Sequence, residues 1–235
     1  MAEPNFDNIE MLMRVARQLG PLLDRFVFLG GVVAELLITE RGAPGARHTK
    51  DVDVVVDVMN RGEYSESLRE QLIELGLSED TRPGAPICRW RFDDMIIDIM
   101  PTRGEILGFS SQWYPLAFES ARPHVLPDGT TIRLVTPACF LATKLAAFGD
   151  RGRRDPMASH DLEDVISVID GRGEIVDDLA AASADVRAYV ASQLTDLVNR
   201  RNATEIIAGQ LMSDSTSQAR LTLVMSRIRA LIATG

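Results

Sequence analysis

Hydrophobic spacing divides the chain near residue 136. Before that point helical and strand patterns alternate; after it apolar residues recur almost entirely at helical intervals. Ile9, Leu12, Val15, Ala16 and Leu19 share one helical face, which predicts an opening helix that Pro21 ends. The run 26–29, all apolar, reads as a short buried strand. Gly30-Gly31 then turns the chain into a helix expected over 32–38, and Gly42-Ala43-Pro44-Gly45 marks a loop. The β-branched run 51–58 predicts a strand in the interior of a sheet.

Residues 62–75 place Leu68, Leu72, Ile73 and Leu75 at helical spacing, with Gly76 as the stop. Cys88, Trp90 and Phe92 alternate with Arg89 and Arg91, the period-two signature of a half-exposed strand. Asp93-Asp94 predicts a tight turn, and residues 95–100 return as the partner strand. A second hairpin is expected around Pro127-Asp128-Gly129-Thr130, with Gly129 at the positive-φ position. Thr136-Pro137 is a helix start, threonine as N-cap and proline in the first turn. Beyond it the pattern predicts about five helices, with breaks near 150–158, 171–173, 201–203 and 212–215. The expected fold is α+β, a mixed sheet with helices over 1–135 followed by a helical lobe over 136–235.

The chemistry begins at Asp51-Val52-Asp53. Two aspartates two apart on a strand leave the same face, while Val52, Val54 and Val56 pack on the other. Carboxylates aimed together repel unless a cation compensates them, and hard oxygen ligands suit Mg²⁺ or Mn²⁺. A strand with a solvated acidic face is the alternative. Two neighbours favour the metal. Gly30-Gly31, between strand and helix, can bring backbone N–H groups against a phosphate. Asp98 is a lone charge in an otherwise apolar strand, either a third carboxylate of the same site or an edge-strand residue facing water.

In the helix from Pro137, Lys144 falls inside the stripe of Phe140, Leu141, Leu145 and Phe148. It can snorkel outward, or carry its ammonium to a phosphate in a cleft between the two halves. The loop Asp150-Arg151-Gly152-Arg153-Arg154 concentrates arginines, whose forks match phosphate oxygens, although a solvated loop explains it as well. Ser159 caps a further helix whose core stripe is Leu162, Val165, Ile166 and Ile169. On that wheel Asp161 sits at the edge of the core and Asp164 points more toward solvent.

Bulk properties narrow this little. The 235 residues are 46% hydrophobic and 25% charged, ordinary for a globular protein. The net charge of −9 argues against broad, sequence-independent coating of nucleic acid, though not against a local basic groove. Cys88 and Cys139 show neither disulfide nor zinc spacing, and no apolar run is long enough to span a membrane, so a cytoplasmic chain with no membrane partner is expected.

Taken in order, Gly30-Gly31, Thr49-Lys50-Asp51-Val52-Asp53, Asp98, Lys144 and Asp161 resemble the nucleotidyltransferase superfamily, with its polymerase β-like fold, and within it the AbiEii/AbiGii-type bacterial nucleotidyltransferases. That resemblance covers roughly residues 25–170. It implies that Asp51, Asp53 and Asp98 are metal ligands and catalytic residues, together with Lys144 and Asp161. It implies nucleotide contacts at Gly30, Gly31, Thr49, Lys50, Lys144, Arg151 and Arg154. It further implies Mg²⁺ or Mn²⁺, a nucleoside triphosphate such as ATP as substrate, and a tRNA 3′ end or protein hydroxyl as acceptor. The chain would be the toxin of a toxin–antitoxin or phage-defence pair, with a cognate antitoxin. The alternatives are a non-catalytic nucleotide-sensing or antitoxin-like module on the same fold, and a structural protein with solvated acidic strands.

Overall fold

The computed structural model describes residues 7–152 and 155–235. The chain divides into two compact units. One takes the described residues up to Val33 together with His48–Val135; the other takes Ala34–Arg47 and Thr136–Gly235.

The first unit is built on one mixed sheet of seven strands: β1 (Phe26–Leu29), β2 (Asp51–Val56), β3 (Ser78–Glu79), β4 (Arg89–Phe92), β5 (Met95–Pro101), β6 (Arg122–Val125) and β7 (Thr131–Leu134). Their spatial order is β3-β4-β5-β2-β1-β7-β6, with β2–β5 and β1–β7 parallel and the other pairs antiparallel. Strands β1, β2 and β5 occupy the middle, which is why they are the most continuously apolar. Helix α1 (Asn8–Leu19) buries Met11, Leu12, Val15, Ala16 and Leu19 as its spacing predicts. It ends at Gly20, with φ +44, and a 3₁₀ turn over Gly20–Arg25 carries Pro21.

Helix α2 (Ala34–Leu37), which belongs to the second unit, is a single turn. The helix expected over 32–38 is thus shorter, and a 3₁₀ turn over Gly31–Val33 precedes it. Its β-branched residues, Val32, Val33 and Ile38, limit helical continuation. The helix over 62–75 divides into a π-helical stretch, Glu63–Leu68, and α3 (Arg69–Glu74); Leu68 and Leu72 are buried, but Ile73 is 45% exposed. Both hairpins form as expected. Asp93 takes φ +51 in the β4–β5 turn, and Gly129 takes φ +86 between β6 and β7. Helices α4 (Gly104–Leu107) and α5 (Tyr114–Ser120) lie between β5 and β6 in the chain.

The second unit continues with α6 (Pro137–Ala147), α7 (His160–Gly171), α8 (Ile175–Ala180), α9 (Ala184–Val198), α10 (Ala203–Gly209), α11 (Ser215–Ala219) and α12 (Leu221–Ile232). Among the described residues this is seven helices rather than five. The break before α9 spans 181–183 and begins with Ala181-Ala182, whose strong helix propensity hides it. The α11–α12 break falls at Arg220 and carries no glycine or proline. Helix α6 is the centre of this unit: every residue from Ala138 to Leu145 is buried, against α7, α8 and α9. Thr136 holds the N-cap position without a side-chain hydrogen bond. No helix among the described residues is long and apolar enough to cross a membrane.

Candidate active site

Strand β2 presents Asp51 and Asp53 on one face while Val52 and Val54 are fully buried on the other. Leu29 pairs with Asp53 across β1–β2, which sets Gly30, the next residue, directly against the Asp53 side chain. Gly30 has φ +77, and a Cβ at that position would lie 1.9 Å from Asp53 Oδ2. The glycine therefore serves two ends: it allows the left-handed turn, and it leaves the volume the carboxylate occupies. Gly31 opens only a short 3₁₀ turn, so a helix dipole contributes little there, and any phosphate contact rests on the turn amides themselves.

Asp98 lies next in line. It pairs with Asp53 across β2–β5 and with Arg89 across β4–β5, so Asp53, Asp98 and Arg89 form a cross-strand row. The edge-strand explanation of Asp98 fails, since β5 is interior to the sheet. Its charge is met by Arg89, whose Nε donates to Asp98 Oδ1 at 2.8 Å and whose Nη2 donates to Oδ2 at 2.7 Å. The same Nη2 donates to Asp51 Oδ2 at 3.4 Å. The hydrogen bond to Asp98, before any other influence, pushes the Arg89 pKa up. Burial, then the negative fields of Asp98 and Asp53, push the neighbouring Cys88 thiol to about 12, so this cysteine is an inert thiol.

Of the two residues preceding the motif, Lys50 is exposed, but Thr49 is buried. Thr49 N–H donates to Asn8 Oδ1 at 3.1 Å, and its hydroxyl donates to the Asp51 carbonyl at 3.1 Å. Thr49 and Asn8 thus anchor the start of β2, a role for Asn8 that helical periodicity alone does not expose.

The second unit gathers Lys144, Asp161 and Arg151. Lys144 on α6 is 7% exposed and does not snorkel. Its ammonium lies 2.7 Å from Asp164 Oδ2 and 3.2 Å from Asp161 Oδ1 on α7. Arg151 adds a bidentate pair to Asp161, Nε at 2.7 Å and Nη2 at 2.9 Å. Arg47 does the same for Asp164, at 2.8 and 3.1 Å. Ser159 caps α7, accepting from the Leu162 amide at 3.4 Å. Burial raises the pKa of Asp161, but the Arg151 hydrogen bond and the charges of Lys144 and Arg151 outweigh it, leaving the carboxyl below its ordinary value.

Asp164 corrects the helical-wheel placement: it is 1% exposed. Helix α7 packs against α2, α6 and α12, so it has little solvent face for Asp164 to occupy, and Arg47 and Lys144 supply the countercharges that make burial tolerable. Arg154 lies outside the described residues.

Hard oxygen donors that would fit a divalent cation are present at Asp51 and Asp53, on one face and with space kept open by Gly30. Asp98 is adjacent but engaged by Arg89. Among the described residues, no group of three or more His, Cys, Asp or Glu side chains is arranged as a metal site.

A search among curated proteins finds no match. The model of the family described as "Nucleotidyl transferase AbiEii toxin, Type IV TA system" matches residues 12–229, nearly the whole chain. That span takes in the aspartate pair on β2 and the Lys144–Asp161 pair alike, and the chain therefore belongs to the AbiEii nucleotidyl transferase toxin family and is a transferase of nucleotidyl groups.

Proposed function

We propose that this protein moves a nucleotidyl group from a nucleoside triphosphate to an acceptor hydroxyl, with Mg²⁺ or Mn²⁺, and acts as the toxin of a bacterial pair restrained by a cognate antitoxin. The observation that carries the site assignment is the Asp51–Asp53 pair on one face of β2, with Asp53 seated in the space left by Gly30. Family membership supports the reaction class.

In this reading the acceptor hydroxyl gives its proton to solvent as its oxygen bonds to the α-phosphorus, the α–β anhydride bond breaks, and pyrophosphate leaves. Asp51 and Asp53 hold the divalent cation, with Asp98 beside them. The bound cation supplies charge neutralisation on the phosphoryl oxygens. Amides of the Gly30–Gly31 turn and the exposed Lys50 orient the triphosphate, and Thr49 keeps Asp51 in place. Within the second unit, Lys144 and Arg151 supply cationic groups of the kind that neutralise phosphate charge. Asp161 keeps the Lys144 ammonium and Arg151 guanidinium oriented.

The test is incubation of the protein with each labelled nucleoside triphosphate in Mg²⁺, with tRNA and, separately, a protein fraction as acceptors. Label should appear on one acceptor class with release of pyrophosphate, and Asp51→Ala should lower it by about a hundredfold or more. Transfer by Asp51→Ala at the wild-type rate would overturn the site assignment. Nucleotide binding without pyrophosphate release, under every acceptor, would favour a sensing module instead.

A further inference from the structure

The guanidinium of Arg89 lies in the place where two of the candidate metal ligands would converge. One nitrogen, Nη2, is 2.7 Å from Asp98 Oδ2 and 3.4 Å from Asp51 Oδ2, and Nε closes the second arm of a fork on Asp98. A cation bridging Asp51 and Asp98 needs those same oxygens at about 2.0–2.1 Å for Mg²⁺. Guanidinium and metal therefore cannot both have them. Arg89 carries its charge at every accessible pH, so protonation offers no release. Its side chain is 22% exposed, against 11% for Asp98. The fork is neither a loose surface pair nor a sealed core pair.

We propose that Arg89 is an internal cation that competes with the divalent metal for Asp98, and so sets the metal affinity of the site. This rests on the reading of Asp51 and Asp53 as the metal-holding pair. With Arg89 in place, a free divalent cation binds through Asp53 and the Asp51 oxygen that Arg89 does not contact, and Asp98 contributes nothing to its affinity. The fork lets go when the guanidinium gains another oxyanion of matching geometry, and the phosphates of an incoming nucleotide are that partner. The metal thus binds weakly alone and fully only when it arrives with the triphosphate. Arg89 acts on the metal through Asp98, and the signature of that action is a metal affinity rather than a rate.

The experiment is Mn²⁺ binding to the full chain, by calorimetry and by loss of the free-ion magnetic resonance signal, in the absence of nucleotide. Arg89→Met should tighten Mn²⁺ about tenfold, the order expected when one competing bidentate pair is removed. Asp98→Asn should leave the affinity of the otherwise wild-type chain within about twofold, yet abolish the gain when combined with Arg89→Met. Asp51→Asn should remove binding in every background. Arg89→Lys keeps the charge but loses the fork, so it should tighten binding by a smaller factor; it stands in if Arg89→Met fails to fold.

Asp51-dependent Mn²⁺ binding that is unchanged or weaker in the folded Arg89 variants overturns this inference and leaves the metal-site reading intact. So does a loss of Mn²⁺ affinity in Asp98→Asn alone, because it makes Asp98 a ligand despite Arg89. Absence of Mn²⁺ binding in the wild type and in every variant overturns both.

Discussion

A single missing methyl group separates a turn from a site at Gly30. The residue has φ +77, and its Cβ would fall 1.9 Å from Asp53 Oδ2 and 2.7 Å from Asp53 Cβ. Alanine there faces two costs, a left-handed backbone and a displaced carboxylate. Gly129 isolates the first, since its φ is +86 but nothing lies within 4 Å of the added Cβ. Gly129→Ala should therefore cost about 1–2 kcal/mol and leave nucleotidyl transfer intact. Gly30→Ala should cost more and also lower transfer at least tenfold, because Asp53 must move out of line with Asp51. Thermal melts and transfer assays on both variants make the comparison; equal activity in the two would remove Asp53 from the mechanism. The aspartate pair and the Gly-Gly turn were legible because both are local: period two puts Asp51 and Asp53 on one face whatever the tertiary structure. Asn8 was not legible, because its value lies in a contact across 41 residues with the Thr49 amide.

Among elements, what the sequence concealed was pairing rather than type. Strands β4 and β5 and the Asp93-Asp94 turn all follow from alternation, yet their register carries the consequence. Counting outward from that turn, Phe92 meets Met95, and three steps on Arg89 meets Asp98. The ion pair was thus present in the spacing for a reader who counted the hairpin instead of treating Asp98 alone. Helix α7 shows the opposite case. Its wheel, read as a surface helix, sends Asp164 toward water; contacts with α2, α6 and α12 remove that water, and no single-helix pattern contains them. Lys144, Asp161 and Asp164 consequently form a buried cluster, which half-buried Arg47 and exposed Arg151 close from outside. Lys144→Met leaves Asp164 with Arg47 alone, and should destabilise the protein by about 3 kcal/mol, a melting shift on the order of 10 °C. A shift within about 1 °C would mean that the arginines fully replace the ammonium. The acid limb tests the same cluster. Asp161 is depressed below its ordinary value, so its stabilisation is present above that value and lost as pH falls through the lower, folded one. Unfolding measured from about pH 6 to about pH 2 should show the gap between wild type and Asp161→Asn narrowing below about pH 4. A gap that stays constant across that window would show that Asp161 gains nothing from its partners.

On the scale of the whole chain, a cut at residue 136 separates the sheet from the main helical run, but Ala34–Arg47 belongs with the helices that follow. Its attachments within that unit are specific. The amides of Thr39 and Glu40 both donate to the Gly171 carbonyl at 2.9 Å, at the end of α7. Glu40 accepts from Arg220 at 3.0 Å and from Arg227 on α12, and Arg220 also donates to Asp170 at 2.7 Å. Leu37 is 2% exposed, and a Cβ on Gly171 would meet Ile38 at 2.8 Å. Burial raises the pKa of Asp170 even against the attraction of Arg220, so this carboxylate depends on its partners to stay charged. A fragment comprising 136–235 alone would therefore expose the apolar surface that Leu37 and Ile38 cover, and leave Asp164 without Arg47 and both Arg220 and Arg227 without Glu40. Each buried charge stripped of a partner costs on the order of 3 kcal/mol, and several such losses approach the whole stability of an ordinary domain. Residues 136–235 should thus unfold without a cooperative transition. A fragment in which 34–47 is joined ahead of 136 through a flexible linker should recover one, read by calorimetry and by dispersion of amide resonances. Equal, cooperative unfolding of the two fragments would mean that the helices suffice by themselves and that 34–47 merely rests on them.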